Sequence, residues 1–98
     1  MKEITAKEVE LLLEEGEKLN LIDVREVYEV EAAKIPGVVN IPLGLLEFRM
    51  NELDKSKEYI MVCRSGARSG HATLFLESYG YKVKNMAGGM LAWKGKRQ

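Results

Sequence analysis

The sequence predicts an α/β fold in which helices cover both faces of a central parallel sheet. Short apolar runs alternate along the chain with segments of helical periodicity, and these runs are nearly continuous, as in strands that are buried on both faces. Strands that alternate with helices pair in parallel through right-handed crossovers. The 98 residues, 46% of them hydrophobic and 31% charged, suit one domain spanning residues 1–98.

Helix and strand signals follow one another in the first third of the chain. Thr5 and Glu8 match a capping box, in which a hydroxyl and a carboxylate satisfy the first amides of a helix, and Gly16 suits the left-handed position beyond the end of that helix. A buried strand is predicted over residues 20–24, which form a short apolar run. A second helix is predicted over residues 25–34, ending before the Ile-Pro pair that follows.

The remainder of the chain continues this alternation. Strands are predicted over residues 38–41, 59–63 and 81–85. Two further helices are predicted from apolar residues at helical spacing, which are Leu43, Leu46, Met50 and Leu53 in one and Ala72, Phe75, Leu76 and Tyr79 in the other. Ser69 is the predicted N-cap of the second of these helices and Gly80 its stop, and a short helix is predicted around residues 90–94.

The cysteine content and hydropathy of the chain indicate a soluble protein of a reducing compartment, and we expect the cytoplasm. Cys63 is the only cysteine, so no internal disulfide can form, and no secretory leader pattern opens the sequence. No apolar run approaches the ~20 residues of a membrane span. One cysteine and one histidine fall short of a metal ligand set, so we expect neither a metal nor a cofactor.

The charge of the chain is balanced overall but unevenly distributed. Residues 1–31 carry ten acidic and four basic side chains, a balance of −6, whereas residues 59–98 carry seven basic and one acidic, a balance of +6. Cys63 lies in the basic part, where positive charge would concentrate small anions near the thiol. No basic stripe interleaved with aromatic residues is present, so nucleic acid is not expected as a partner.

The stretch YIMVCRSGARSGHATLFL, residues 59–76, places Cys63 at the carboxyl end of a predicted strand, directly before a loop and a helix. Ligands of parallel sheets bind at this edge. The loop RSGAR contains Gly66 and no bulky apolar residue, so its N–H groups can converge on an anion, and the positive end of the next helix adds to them. With Arg64 and Arg68 nearby, these groups favour the thiolate, and we expect Cys63 to be an exposed nucleophile of lowered pKa.

Two residues of this stretch have a second interpretation. Cys63 could be a small hydrophobic residue that closes a buried strand, but the glycine-bearing loop and the two arginines within six positions favour a functional role. His71, the only histidine, could face the site from the helix, although we expect a solvated or capping role for it instead.

Four segments of the chain resemble, in order, segments of the rhodanese-like sulfurtransferase family. They are LIDVRE (21–26), IPGVVNIPL (35–43), VCRSGARS (62–69) and GYKVKNMAGGMLAW (80–93). The resemblance implies a rhodanese-like α/β fold with a five-stranded parallel sheet flanked by helices on both faces. One departure is visible, because Ala33 and Lys34 stand where the family commonly has Gly-His, and this change would alter the rim of the site.

The resemblance also implies the roles of individual residues. It makes Cys63 the residue that accepts a sulfane sulfur and holds it as a persulfide, surrounded by a cradle of Arg64, Ser65, Gly66, Ala67 and Arg68. It gives Asp23 and Arg25 a fold-locking role beneath the site and Trp93 a packing role. We therefore expect a sulfurtransferase that moves sulfur from an anionic donor, such as thiosulfate or polysulfide, through the Cys63 persulfide to cyanide, a thiol or a partner protein, with Arg68 steering the donor.

Two alternatives remain open. A carrier or docking module would hold the persulfide with little turnover, and its discharge would need an external acceptor because the chain has no second cysteine. A cysteine-dependent phosphatase would also use a cysteine and an arginine on a loop before a helix. Its loop resembles Cys, five residues, Arg, however, whereas four residues separate Cys63 from Arg68, and no aspartate is evident as a general acid.

Overall fold

All five strands of the protein lie parallel in one sheet. The computed structural model describes residues 1–98, and the order of strands across the sheet is β1-β5-β4-β2-β3. The strands are β1 (Glu3–Thr5), β2 (Leu21–Asp23), β3 (Val39–Asn40), β4 (Glu58–Val62) and β5 (Lys82–Ala87). The helices are α1 (Ala6–Glu14), α2 (Val27–Ala32), α3 (Leu46–Arg49) and α4 (Ala67–Ser78). The predicted α/β fold is confirmed.

Side chains of β4 alternate between two cores, one on each face of the sheet. Tyr59, Met61 and Cys63 belong to a cluster that packs against α3 and α4 and includes Leu46 and Leu76. A second cluster covers the opposite face with residues of β1, α1 and the segment after β5. Members of the second cluster include Ile4, Val9, Ile60, Val62, Met86 and Trp93. Helices therefore cover both faces, as the buried, nearly continuous strand runs predicted.

The strand register brings the carboxyl ends of β2, β4 and β5 together. Val62 lies opposite Asp23 of β2, and Met61 lies opposite Asn85 of β5. Because β4 is the central strand, whatever follows Val62 is flanked by the ends of both neighbours. Cys63 is the next residue in the chain.

The predicted N-terminal helix is confirmed in detail. Thr5 accepts a hydrogen bond from the Glu8 amide at 3.0 Å, and the Glu8 carboxylate accepts one from the Thr5 amide at 3.1 Å. Gly16 follows the helix with φ of +85°. The three-residue strand β1 was not predicted, because only one of its side chains, Ile4, is buried and no apolar pattern marks it.

Two predicted helices are replaced by tighter turns. The segment predicted as one helix over residues 43–53 consists of 3-10 turns on either side of the four-residue helix α3. The segment around residues 90–94 is a 3-10 turn, Gly89–Ala92. There the amides of Met90 and Leu91 donate to the carbonyls of Cys63 and Arg64, which ties the turn to the loop instead of continuing a helix. The longest helix of the protein, α4, has 12 residues, well short of a bilayer span.

Candidate active site

The loop after β4 curls around the sulfur of Cys63. The Gly66 amide donates a hydrogen bond to Sγ at 3.0 Å, and the Ser69 hydroxyl oxygen lies 3.2 Å from the same atom. The backbone amides of Ser65 and Ser69 also face the sulfur. The N–H groups of the loop thus converge on one atom, as expected. That atom is the Cys63 sulfur itself and not a separate bound anion.

The burial of Cys63 differs from expectation. We predicted an exposed thiol, but Cys63 has 0% of its surface exposed and belongs to the core beneath α4. The loop amides and the Ser69 side chain lie within hydrogen-bonding distance of Sγ and enclose it. Both interpretations drawn from the sequence therefore apply in part, because Cys63 closes a buried strand and also receives several hydrogen bonds.

Two opposing effects act on the pKa of Cys63. Burial is the largest single effect and raises the pKa, because a thiolate is poorly solvated in the interior. Hydrogen bonds from the Ser69 hydroxyl and from the amides of Ser69, Gly66 and Ser65 favour the thiolate, and together they hold the pKa below its ordinary value. The predicted direction is confirmed, and hydrogen bonding is the main cause that lowers the pKa. Arg68 also interacts electrostatically with the Cys63 sulfur, but this effect is smaller than its interaction with Glu29.

Gly66, and not Ser69, is the N-cap of α4. Gly66 has φ of +101°, and the helix begins at Ala67. A β-carbon at Gly66 would lie 3.3 Å from the Gly88 amide nitrogen, so neither the conformation nor the space suits another residue. Ser69 was predicted as the cap because serine commonly caps helices. It is instead fully buried in the first turn, with its hydroxyl at the sulfur.

Asn85 of β5 completes the buried polar group below the loop. Its Oδ1 lies 2.5 Å from the Ser69 hydroxyl oxygen, and its Nδ2 donates to the Gly66 carbonyl at 3.1 Å. Asn85 is 3% exposed. The sequence prediction missed this residue, although a polar residue near the carboxyl end of the strand next to β4 was an available signal.

Arg68 is paired with an acidic residue of α2. Its two terminal nitrogens donate to the two carboxylate oxygens of Glu29 at 2.7 and 2.9 Å. The hydrogen bonds from Arg68 outweigh the effect of burial and lower the pKa of Glu29 to about 2. The expectation that Arg68 steers anionic donors is therefore weakened, because its charge is already compensated.

The other loop residues lie at the surface. Arg64, Ser65 and Ala67 are exposed, and the Arg64 guanidinium makes no hydrogen bond or ion pair within the chain. The Arg64 backbone is nevertheless held, because its carbonyl oxygen accepts a hydrogen bond from the Leu91 amide at 2.9 Å. Gly89 packs so closely against this carbonyl that an added β-carbon would lie 2.5 Å from its oxygen. Arg64 is thus the loop arginine that remains available to an anion from solvent.

A buried ion pair holds the segment beneath the loop. Arg25 donates to both carboxylate oxygens of Asp23, at 2.8 Å in the shortest contact, and also to the carbonyls of Glu29 and Ala33. This arrangement fits the fold-locking role that the resemblance implied. Trp93 is buried in the second core, in keeping with a packing role.

His71 and Lys34 make no hydrogen bond to the Cys63 sulfur. His71 is exposed on α4, so the solvated role expected for it is confirmed. The Lys34 backbone pairs with the backbone of Gln98, the last residue. No hydrogen bond or ion pair joins Lys34 to the loop, and its effect on the rim stays a prediction.

One cavity of the protein is remote from Cys63. It has a volume of about 630 Å³ and lies at the amino ends of the strands, where Lys2, Tyr59 and Lys82 contribute to its lining. None of the loop residues lines it. Cys63 lies on the opposite edge of the sheet, at the carboxyl ends of the strands.

Comparison with protein-family models shows the family to which the chain belongs. Residues 5–96 match the model of the Rhodanese-like domain. The chain belongs to the rhodanese-like family. The match confirms the resemblance of the four segments to this family. The five-stranded parallel sheet of the rhodanese-like chain is the one that the resemblance implied.

Similar proteins include curated relatives and solved structures. "Putative sulfurtransferase YtwF" of Bacillus subtilis is 44% identical over 97% of the rhodanese-like chain and 92% of its own length. "Putative sulfur carrier protein YrkF" of the same organism is 43% identical over 98% of the chain, which spans 52% of that relative. The crystal structure of a rhodanese-like domain protein from Staphylococcus aureus has a TM-score of 0.92 and 33% identity, covering 98% of this chain and 94% of its own.

Proposed function

We propose that the protein is a sulfurtransferase in which Cys63 carries the sulfur as a persulfide. Membership of the rhodanese-like family and the similarity to a relative named a sulfurtransferase support sulfur transfer in general. The observation that carries the assignment of Cys63 is the set of donor groups at its sulfur: the Gly66 amide donates to it at 3.0 Å, and the Ser69 hydroxyl oxygen lies 3.2 Å away. An inert core cysteine needs no such donors.

The proposed reaction has two half-reactions. In the first, the Cys63 thiolate attacks the outer sulfur of thiosulfate, the bond between the two sulfurs of thiosulfate breaks, and sulfite leaves with the electron pair. The product is Cys63-S-S⁻. In the second, cyanide or a thiolate attacks the terminal sulfur and takes it, which restores the Cys63 thiolate. One covalent intermediate shared by two substrates predicts ping-pong kinetics.

The loop would stabilise the negative charge in both forms. Hydrogen bonds to charged groups contribute about 1.5–3 kcal/mol each, so a few converging amides offset a large part of the cost of burying a thiolate. The N-terminus of the 12-residue helix α4 adds a partial positive charge on the same side. Arg64, exposed and unpaired, would attract the anionic donor.

The second candidate is a persulfide carrier with little turnover. Two observations favour it, namely the complete burial of Cys63 and the similarity to a relative named a sulfur carrier protein. A buried sulfur limits access for free small molecules, and a protein acceptor could supply the thiol that this chain lacks. In either case we propose a single rhodanese-like domain that works in the cytoplasm, where its one thiol stays reduced.

The phosphatase alternative is disfavoured by the surroundings of Arg68. A phosphatase would need this guanidinium to bind the phosphate oxygens, but both of its terminal nitrogens are occupied by Glu29. Incubation with an aryl phosphate should therefore release no phosphate above the level found with Cys63→Ser.

Intact mass measurement tests the proposal directly. After exposure to thiosulfate or polysulfide and removal of the donor, the wild-type protein should gain the mass of one sulfur atom, and cyanide should remove it with formation of thiocyanate. Cys63→Ser should gain no sulfur and should keep its fold, because serine fills the same position with one atom exchanged. A wild-type protein that stays unmodified with every donor would refute sulfur transfer through Cys63. Loading without steady-state thiocyanate formation would select the carrier function.

A further inference from the structure

The Ser69 hydroxyl lies between two groups that compete for its proton. Its oxygen is 3.2 Å from the Cys63 sulfur and 2.5 Å from Oδ1 of Asn85. A hydroxyl carries one proton, so it can donate to only one of them at a time. Cys63 and Ser69 are 0% exposed and Asn85 is 3% exposed, so the competition takes place in the interior, where an unmet hydrogen bond is costly.

The orientation of the Asn85 amide is fixed by its second contact. Nδ2 lies 3.1 Å from the Gly66 carbonyl oxygen, which is an acceptor. Rotating the amide by half a turn would place Oδ1 against that carbonyl, with two oxygens facing each other and no proton between them. The side of Asn85 that faces Ser69 is therefore Oδ1, which can only accept. Ser69 must be the donor in the shorter of its two contacts.

The thiol and the thiolate of Cys63 require different arrangements of this group. With a neutral thiol, S–H donates to the Ser69 oxygen and the Ser69 hydroxyl donates to Asn85, so every group is satisfied. A thiolate cannot donate and is stabilised by donors. To serve it, the Ser69 proton must turn from Asn85 to the sulfur, which leaves Oδ1 of Asn85 buried without a donor.

We propose that Asn85 is a positioning residue that holds the Ser69 proton away from Cys63 and so limits the stabilisation of the thiolate. The inference rests on the proposed function of the site. In the persulfide the negative charge moves to the outer sulfur, Sγ no longer needs the hydroxyl, and the Ser69 proton returns to Asn85. Asn85 thus favours the loaded state over the free thiolate and keeps the thiolate more nucleophilic, because nucleophilicity falls as a thiolate is stabilised.

Variants of Asn85 and Ser69 test this role, and all of them keep the charged groups around Cys63 unchanged. Arg68 of α4 is neutralised by Glu29 of α2, and Asp23 at the end of β2 is neutralised by Arg25. Arg64 of the loop is exposed. Substitutions at Asn85 and Ser69 change no charge, so a shift in the titration of the thiol reports the hydrogen bonds.

The test is a set of four proteins: the wild type, Asn85→Val, Ser69→Ala and the double variant. The midpoint of thiolate formation is measured from the pH dependence of ultraviolet thiolate absorbance and of alkylation by iodoacetamide. Asn85→Val should lower the midpoint and speed alkylation about three- to tenfold at a pH below it, because Ser69 is then free to donate to the sulfur. Ser69→Ala should raise the midpoint. In the double variant the change at residue 85 should have no further effect.

The double variant separates this role from a merely structural one. Asn85 also holds the Gly66 carbonyl, and a loosened loop would shift the midpoint equally with and without the Ser69 hydroxyl. An equal shift in both backgrounds, or an unchanged or raised midpoint in Asn85→Val, would overturn the proposal. If Asn85→Val does not fold, as judged by circular dichroism, Asn85→Ala removes the same acceptor without adding volume. None of these readouts requires sulfur transfer, so a failed sulfurtransferase assay would refute the proposed function and not this inference.

Discussion

The ion pair between Glu29 and Arg68 joins α2 to the first turn of α4, and the variant Glu29→Gln tests what it contributes. Glutamine keeps the shape of the side chain and an oxygen that can still accept the hydrogen bond from the Glu26 amide, which the Glu29 carboxylate now receives at 3.0 Å. The substitution removes only the charge and the bidentate contact with Arg68, whose N–O distances are 2.7 and 2.9 Å.

The expected effect on stability is small, because the pair is partly exposed. The Arg68 and Glu29 side chains are 36% and 17% exposed, so solvent screening reduces the energy of the pair to about 1 kcal/mol. For a domain of this size, that loss in the free energy of unfolding lowers Tm by about 4–8 °C. Glu31→Gln on the same helix is the matched control, since Glu31 is exposed and makes no ion pair, and it should leave Tm unchanged.

The pH dependence of this effect has a defined direction. The pKa of Glu29 is lowered from 4.5 to about 2, so the pair contributes its full stability above about pH 4.5 and loses it as the pH falls toward 2. The difference between the wild type and Glu29→Gln, measured by urea unfolding, should be constant from neutral pH down to about 5.5 and shrink below 4.5. A difference that persists undiminished near pH 3 would refute the assignment of the stability to the ionised carboxylate.

Glu29→Gln should also change the use of anionic sulfur donors. The freed Arg68 charge would attract a dianion such as thiosulfate by about 1 kcal/mol at about 8 Å in water, roughly a fivefold gain in kcat/KM. The gain should disappear at high salt and should be absent for an uncharged donor. A fall in kcat/KM for thiosulfate would show that the pair serves the site by positioning the loop, and would contradict the view that Glu29 withholds the Arg68 charge.

The remaining predictions concern the backbone and charge of the loop. Arg64→Ala should lower kcat/KM for thiosulfate about threefold to tenfold without changing the free energy of unfolding, because Arg64 is the unpaired loop arginine. Equal effects on charged and uncharged donors would contradict this electrostatic reason. Gly89→Ala should destabilise the protein by about 2 kcal/mol or more in urea unfolding. The new β-carbon would lie 2.5 Å from the Arg64 carbonyl oxygen, and residue 89 has φ of +55°. An unchanged free energy of unfolding would show that this contact can relax.

The sequence predicted correctly those features that depend on neighbouring residues in the chain. The capping box at Thr5, the buried run of β4 and the stop at Gly80 each depend on residues within a few positions of one another, and the structure has all three. The predictions were wrong where distant contacts compete with local preference. The helix expected around residues 90–94 is a 3-10 turn because its amides bond to the loop carbonyls of Cys63 and Arg64.

The sequence by itself determined that the only thiol ends a buried strand and precedes a glycine-bearing loop and a helix. It could not determine what touches that thiol. Asn85 reaches Ser69 across 16 residues of chain and Glu29 reaches Arg68 across 39, so these contacts depend on strand order and register. Tertiary structure therefore decided that Arg68 is neutralised, that the Cys63 sulfur is buried and that two acceptors compete for the Ser69 proton. Only the packed sheet brings those groups within hydrogen-bonding distance.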